Sequence, residues 1–414
     1  FRLRATTTTA RIADSSPAHR ETGVAVTRET VFRLSAPITP LPGLGTGTLR
    51  AQAGGRALLG RTELSRDGLT LTWFPLEPMP GATRVQVSIR GDDFTDPAGR
   101  SLDADGDGQP GGTAFVEFDT LGNLGLPGTA VVGHVLASEP GDGGTNRPLA
   151  GVTITVDGAE ETLRTTTDAQ GFFRLEPAPA GRFFVHVDGR TAAGSRWPGG
   201  AYYPLVGKAW EASPGRTNNL AGGNGVIFLP LIQDGALQPV SATDTTVVRF
   251  VPELTSANPQ LAGVEIRVPP NALFSESGLR GGRVGIAPVA PDRLPEPLPP
   301  GLELPLVITI QTDGPQNFDA PVPVRLPNLP DPTTGLRLPP GAKTALWSFN
   351  HDTGRWEPQG TMTISHDGNF ADSDPGVGVR QPGWHGAAPG SPGSGPGPFP
   401  CNTCEDDDER RKEE

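Results

Sequence analysis

Apolar and polar positions alternate in short runs between Glu21 and Thr120: "VFRLSAPI", "GTLRAQ", "LTLTWFPL", "TRVQVSIRG" and "TAFVEFD". A period of two is the mark of a strand, because successive side chains on an extended backbone point to opposite faces. Turn clusters separate the runs at a spacing of roughly eight to twelve residues, the rhythm of a β-sandwich. The pattern resumes in "GVTITV", "GFFRL" and "GRFFVHV", then in "VEIRVPP", "GGRVGIAPV" and "LPLVITI", and last in "KTALWSFN" and "TMTISHD". No segment sustains a helical period. The chain is therefore expected to be all-β, a series of tandem β-sandwich domains.

These runs divide the chain. Residues 1–20 read as a leader or linker and 21–125 as a first sandwich. Residues 126–192 form a second one, and 193–240, rich in Gly, Asn and aromatics, an extended junction. Residues 241–385 make a third β domain with C-terminal hairpins. From 386 to 414, "GSPGSGPGPFP" followed by "EDDDERRKEE" cannot bury enough apolar surface to offset ordering, so a disordered tail is expected.

Composition agrees. The 56 glycines and 46 prolines are spread mainly between the short runs, where they act as turns. A net charge of −12 argues against nucleic acid and anionic lipid as partners. The longest apolar stretches, "GVIFLPLI" and "LELPLVITI", are too short for a membrane helix, so no membrane insertion is expected. Phe1 is not an initiator methionine and "FRLRATTTTA" has no apolar signal core, which reads as a processed product or a piece of a longer gene that continues into further domains.

At this point the runs carry resemblances. "ETGVAVTRETVFRLSAPI", "LTLTWFPLEPMPGATRVQVSIRG" and the turn with Asp96 and Gly99 resemble an SbsA-type bacterial Ig-like domain. "PLAGVTITV", "TTTDAQGFFRL" and "PAGRFFVHV" resemble the carboxypeptidase regulatory-like, or prealbumin-like, domain, with Phe172, Leu175, Phe184 and Val187 as candidate core. "VEIRVPPNALF" and "FDAPVPVRLPNLP" resemble a ZU-five domain. The order is similar to the region upstream of the repeats in bacterial RHS-repeat surface proteins. That resemblance implies a secreted or cell-surface location and a cell-surface protein or polysaccharide as partner.

One motif carries metal chemistry. In "SLDADGDGQPGG", Asp103, Asp105, Asp107, Gly108 and the carbonyl of Gln109 fall at positions 1, 3, 5, 6 and 7 of a calcium-binding EF-hand loop. Position 12 is Ala114, where that loop needs a bidentate glutamate, and the flanks are strands. This is not an EF-hand. The reading is a calcium clip in a strand-flanked loop, with Asp93, Asp96 or a carbonyl completing the oxygens, against a plain acidic turn.

Enzyme signatures are missing. The six histidines include no H-E-x-x-H, the only G-x-S-x-G-like cluster lies in the linker, and Gly106–Gly111 fits G-x-G-x-x-G with no helix behind it. "SFNHDTG" lacks the His-Phe-Ser order of self-cleaving ZU-five assemblies. Cys401 and Cys404 form a single C-x-x-C, read as a tail disulfide or free thiols. The chain is expected to be no enzyme but a stalk, spacer or adhesion segment. The alternative is glycan or protein binding through the aromatics Trp197, Tyr202, Tyr203 and Trp210. A third reading is an autoproteolytic or peptidase-associated processing domain.

Overall fold

The computed structural model describes residues 9–42, 48–139, 144–193, 200–220, 225–232, 234–275, 279–290, 292–313 and 316–388. It is 48% strand and 5% helix. Pro252–Ala257, six residues long, is the one α-helix among the described residues. The all-β expectation holds. Three β domains follow one another along the chain.

The first is a two-sheet sandwich. One sheet runs in the order Ile12–Ser16, Thr30–Leu34, Thr70–Pro75 and Gly60–Leu64; the other runs Glu21–Val24, Thr113–Thr120, Arg84–Arg90, Leu49–Ala53 and Arg56–Leu58. Strand Arg84–Arg90 shows why the pattern was readable. Val85, Val87 and Ile89 are fully buried, while Gln86 and Ser88 between them face outward. Because Ile12–Ser16 pairs with Thr30–Leu34, the expected leader belongs in part to this sandwich. Its mixed sequence "IADSS" hid the strand, since at an edge the backbone ladder rather than apolar alternation holds it.

In the second domain, the sheet Arg164–Thr166, Thr153–Val156, Gly181–Asp188 and Leu205–Ala212 faces a sheet built on Ala130–Ala137. Leu205–Ala212 pairs along the whole of Gly181–Asp188, and Val226–Leu229 lies parallel to His134–Ala137. Much of the stretch expected as an extended junction is therefore integral to this domain.

The third domain is one ten-stranded sheet, in the order Gln238–Pro239, Arg283–Val289, Val307–Thr312, Gly383–Ala387, Lys343–Asn350, Arg355–Ile364, Phe370–Ser373, Val324–Pro327, Glu265–Val268 and Thr246–Arg249. It curls until Thr246–Arg249 touches Arg283–Val289, enclosing Ile266, Ile308, Leu346 and Met362. The final strand ends at Ala387, just inside the expected tail. The Gly/Pro/Ser and acidic stretch with Cys401 and Cys404 lies outside the described residues.

These domains are not separate beads. Leu346 and Phe349, three residues apart on strand Lys343–Asn350, face opposite sides of the sheet, so Leu346 packs inside its own sheet while Phe349 joins the core of the second domain. Trp356, Trp384, Val289 and Val307 join it there, making one continuous apolar cluster across two domains. Gly158, with φ +71°, lies so close to Val26 of the first domain that a β-carbon would sit 2.5 Å from it. Only glycine fits on both counts.

Candidate functional site

The acidic loop leaves strand-like pairing at Asp103 and returns to it at Gly111. Asp103 donates its amide to the Ala10 carbonyl at 2.9 Å and Gly111 donates to the Leu102 carbonyl at 3.0 Å, which pins the neck of the loop to the sandwich. Between them Gly106 and Gly108 take φ +74° and +84°, the curl that turns alternate side chains to one side. Asp103, itself buried, organises the curl: Oδ1 accepts from the Gly106 amide at 2.8 Å and Oδ2 from the Gly108 amide at 3.1 Å. Asp107 Oδ1 accepts from the Gln109 amide at 2.8 Å. Carboxylate oxygens of Asp103, Asp105 and Asp107 all lie within 4.8 Å of one another. At that separation each pair of charges repels by about 1 kcal/mol even at the dielectric of water.

Two of the neighbours anticipated from sequence fare differently. Asp96 is taken: its Oδ1 accepts from the Ala98 and Arg100 amides at 2.9 and 3.0 Å, and Oδ2 binds the Arg100 guanidinium. It caps its own turn and is not free for a cation. Asp93 offers its carbonyl to the Leu41 amide. Asp92, which the spacing did not single out, has its Oδ1 2.7 Å from where a β-carbon on Gly111 would stand, and the Asp105 carboxylate crowds Gly112 in the same way. The two acids thus flank the neck of the loop. Only the pairing of Gly91 with Gly112 brings Asp92 there.

Among the described residues, Tyr203 and Trp210 of the aromatic set are buried. Trp210 stacks on Phe173 with ring centroids 5.6 Å apart and meets Phe183 edge-on at 6.2 Å, inside the core of the second domain. Tyr203 is buried beside it, Tyr202 is half-buried, and Trp197 lies outside the described residues. Strand alternation turns Trp210 inward, so of the four aromatics Trp210 and Tyr203 are not exposed for stacking on a sugar.

A second polar centre, invisible in the sequence, lies where all three domains meet. Arg28 of the first domain forms a buried ion pair with Asp352 of the third, and Arg182 of the second donates to the Asp352 carbonyl at 2.7 Å. His351 Nδ1 hydrogen-bonds to the Gly207 carbonyl. Thr27 donates to Asp157 Oδ1 at 2.7 Å, and His186 Nε2 lies 3.0 Å from the same oxygen. A cavity of about 160 Å³ lies among Thr27, Arg28, His186, His351 and Asp352. Burial holds His351 below the usual imidazole range, and it pushes His385, one strand away, down to about 3. Lys208, paired with Glu296 across the second and third domains, is also lowered by burial.

The one serine in contact with a histidine ring nitrogen among the described residues is Ser348, whose Oγ is 2.7 Å from His385 Nδ1. Both residues are buried, at 6% and 2% exposure. Both also line a cavity of about 350 Å³, together with Arg28, Glu29 and Arg380.

No family model matches this chain, and no curated protein matches it. Among solved structures it is similar to PcoC, a methionine-rich copper resistance protein from Escherichia coli, at 14% identity over 27% of this chain and 98% of that one, with a TM-score of 0.19. It is similar to domains 1–6 of the surface layer protein SbsC at 9% identity, over 93% of this chain and 51% of that one, with a TM-score of 0.23. Native alpha-2-macroglobulin from Escherichia coli, spanning domains MG0-NIE-MG1, is similar at 11% identity over 91% and 96%, with a TM-score of 0.22.

Proposed function

We propose that this chain is a non-enzymatic structural segment of a secreted or cell-surface bacterial protein, a spacer whose three β domains act as one stiff body. The observation that carries the reading is the shared core: Phe349, Trp356 and Trp384 of the third domain pack into the apolar cluster of the second. The first domain is tied to both through Arg28, Thr27 and Gly158. Large apolar and buried charged contacts of this kind oppose relative domain motion, as a stiff spacer requires. The surface location rests on the sequence resemblances to bacterial surface modules.

The Asp103–Asp107 loop is read as a structural calcium site within that spacer. Three convergent carboxylates with Asp92 at hand match the all-oxygen preference of calcium, and millimolar extracellular calcium would fill even a weak site of about 0.1–1 mM.

The stiff-body reading is tested by calorimetry and small-angle scattering on the full chain. One cooperative transition for the three domains, and a scattering profile matching the compact arrangement, are expected. Three independent transitions with an extended, flexible profile would overturn it.

A further inference from the structure

The face of the second domain that meets the first carries a mixed donor set. Strand Thr153–Val156 runs antiparallel to Gly181–Asp188 with Thr155 opposite His186. Asp157 follows two residues on, hence on the same face and diagonal to His186. Gly158 then turns the chain, and Glu160, whose Oε1 accepts from the Gly158 amide at 2.8 Å, comes back over the pair. A carboxylate oxygen of Asp157, one of Glu160 and a ring nitrogen of His186 lie within 4.8 Å of one another.

A hydrogen-bonded Asp–His pair would account for two of these residues; Glu160, beyond its bond to the Gly158 amide, adds a second carboxylate beside them. Asp157 is 1% exposed, and a second carboxylate beside a buried one is unfavourable unless positive charge answers both. Among the described residues His186 is the only ion-pair partner of either carboxylate. One imidazole can carry at most one positive charge; a divalent cation carries two. The supporting groups are in place as well. Thr27 of the first domain donates its hydroxyl to Asp157 Oδ1 and its amide, at 3.3 Å, to Oδ2, orienting the carboxylate from outside as outer-shell partners do. Thr27 and His186 also line the cavity of about 160 Å³, so the histidine of the set borders open space.

We propose that Asp157, Glu160 and His186 bind a first-row divalent cation of the zinc type, which locks the first domain onto the second. Imidazole with carboxylates suits zinc, whereas calcium and magnesium favour all-oxygen shells, so this site and the Asp103 loop select different ions. Three protein ligands leave the remaining positions to water. Because Thr27 holds Asp157, binding the ion stiffens the contact between domains.

The test is zinc titration of the full chain by calorimetry in saturating calcium, with cobalt absorption as a second readout of nitrogen coordination. Wild type is expected to bind one zinc, and His186→Gln, which keeps a hydrogen-bonding group but loses a good zinc ligand, to bind at least tenfold more weakly. Glu160→Gln, on a turn and neutral toward folding, should weaken zinc by a similar factor while circular dichroism in chelator stays at wild type. It keeps the proposal testable if His186→Gln does not fold. Absence of zinc binding by wild type, unchanged affinity in Glu160→Gln, or loss of binding in Asp105→Ala instead would each overturn the proposal.

Discussion

Arg28 and Asp352 form an ion pair between the first and third domains with side chains only 12% and 6% exposed. Arg28 also donates to Ser16 Oγ at 2.7 Å, and its guanidinium lies 3.5 Å from Glu21. Removing one partner of so buried a pair leaves the other uncompensated, which costs more than the pair's net worth.

Asp352→Ala is therefore expected to destabilise the chain by about 3–5 kcal/mol in urea unfolding. Joint replacement of Arg28 and Asp352 by apolar residues of similar volume should recover most of that loss. A double variant as unstable as the single one would show that the charges, and not the unpaired remnant, hold the junction.

Calcium should raise the melting temperature of the full chain. If only the folded loop binds, saturating metal contributes about 2.7 kcal/mol at a hundredfold excess over Kd. Asp105→Asn should reduce the response and Asp105→Ala abolish it, as followed by calorimetry in calcium against chelator. Identical melting of wild type in both would reduce the loop to an acidic turn.

Acid sensitivity follows from His385. Its folded-state value of about 3 lies below the ordinary 6.5, so the folded protein keeps it neutral while the unfolded chain takes up a proton. Its contribution to stability is complete above pH 6.5 and is lost as pH falls toward 3, with a slope of at most about 1.4 kcal/mol per pH unit. Asp319, raised to about 6 by burial against the opposing effect of Arg280, acts with the other sign between about 6 and 3.8, since there the folded state binds more protons. His385→Asn should flatten the acid limb of stability against pH, and Asp319→Asn should steepen it. Unchanged profiles in both variants would contradict these assignments.

Trp210→Ala should cost about 3–5 kcal/mol, as for large core aromatics, because Phe173 and Phe183 lose their packing partner. Urea unfolding measures it. A stable Trp210→Ala variant that lost affinity for a polysaccharide would instead restore the aromatic segment as a binding surface.

The features legible along the chain are local ones. Period-two alternation in "TRVQVSIRG" placed Val85, Val87 and Ile89 on a buried face because strand geometry alone sets which side each residue takes. The glycines between Asp103 and Gly111 announced a curled loop because positive φ is a property of single residues. Edge strands such as Ile12–Ser16 were harder to read, since one backbone ladder holds them and little apolar pattern is required. Long-range packing, by contrast, turns Trp210 inward, spends Asp96 on Arg100 while Asp92 approaches the loop, and brings Asp157, Glu160 and His186 together beside Thr27. Arg28 meeting Asp352 is the clearest case. Nothing local to either residue encodes that contact, because domain packing brings together groups whose separation along the chain leaves no periodic trace.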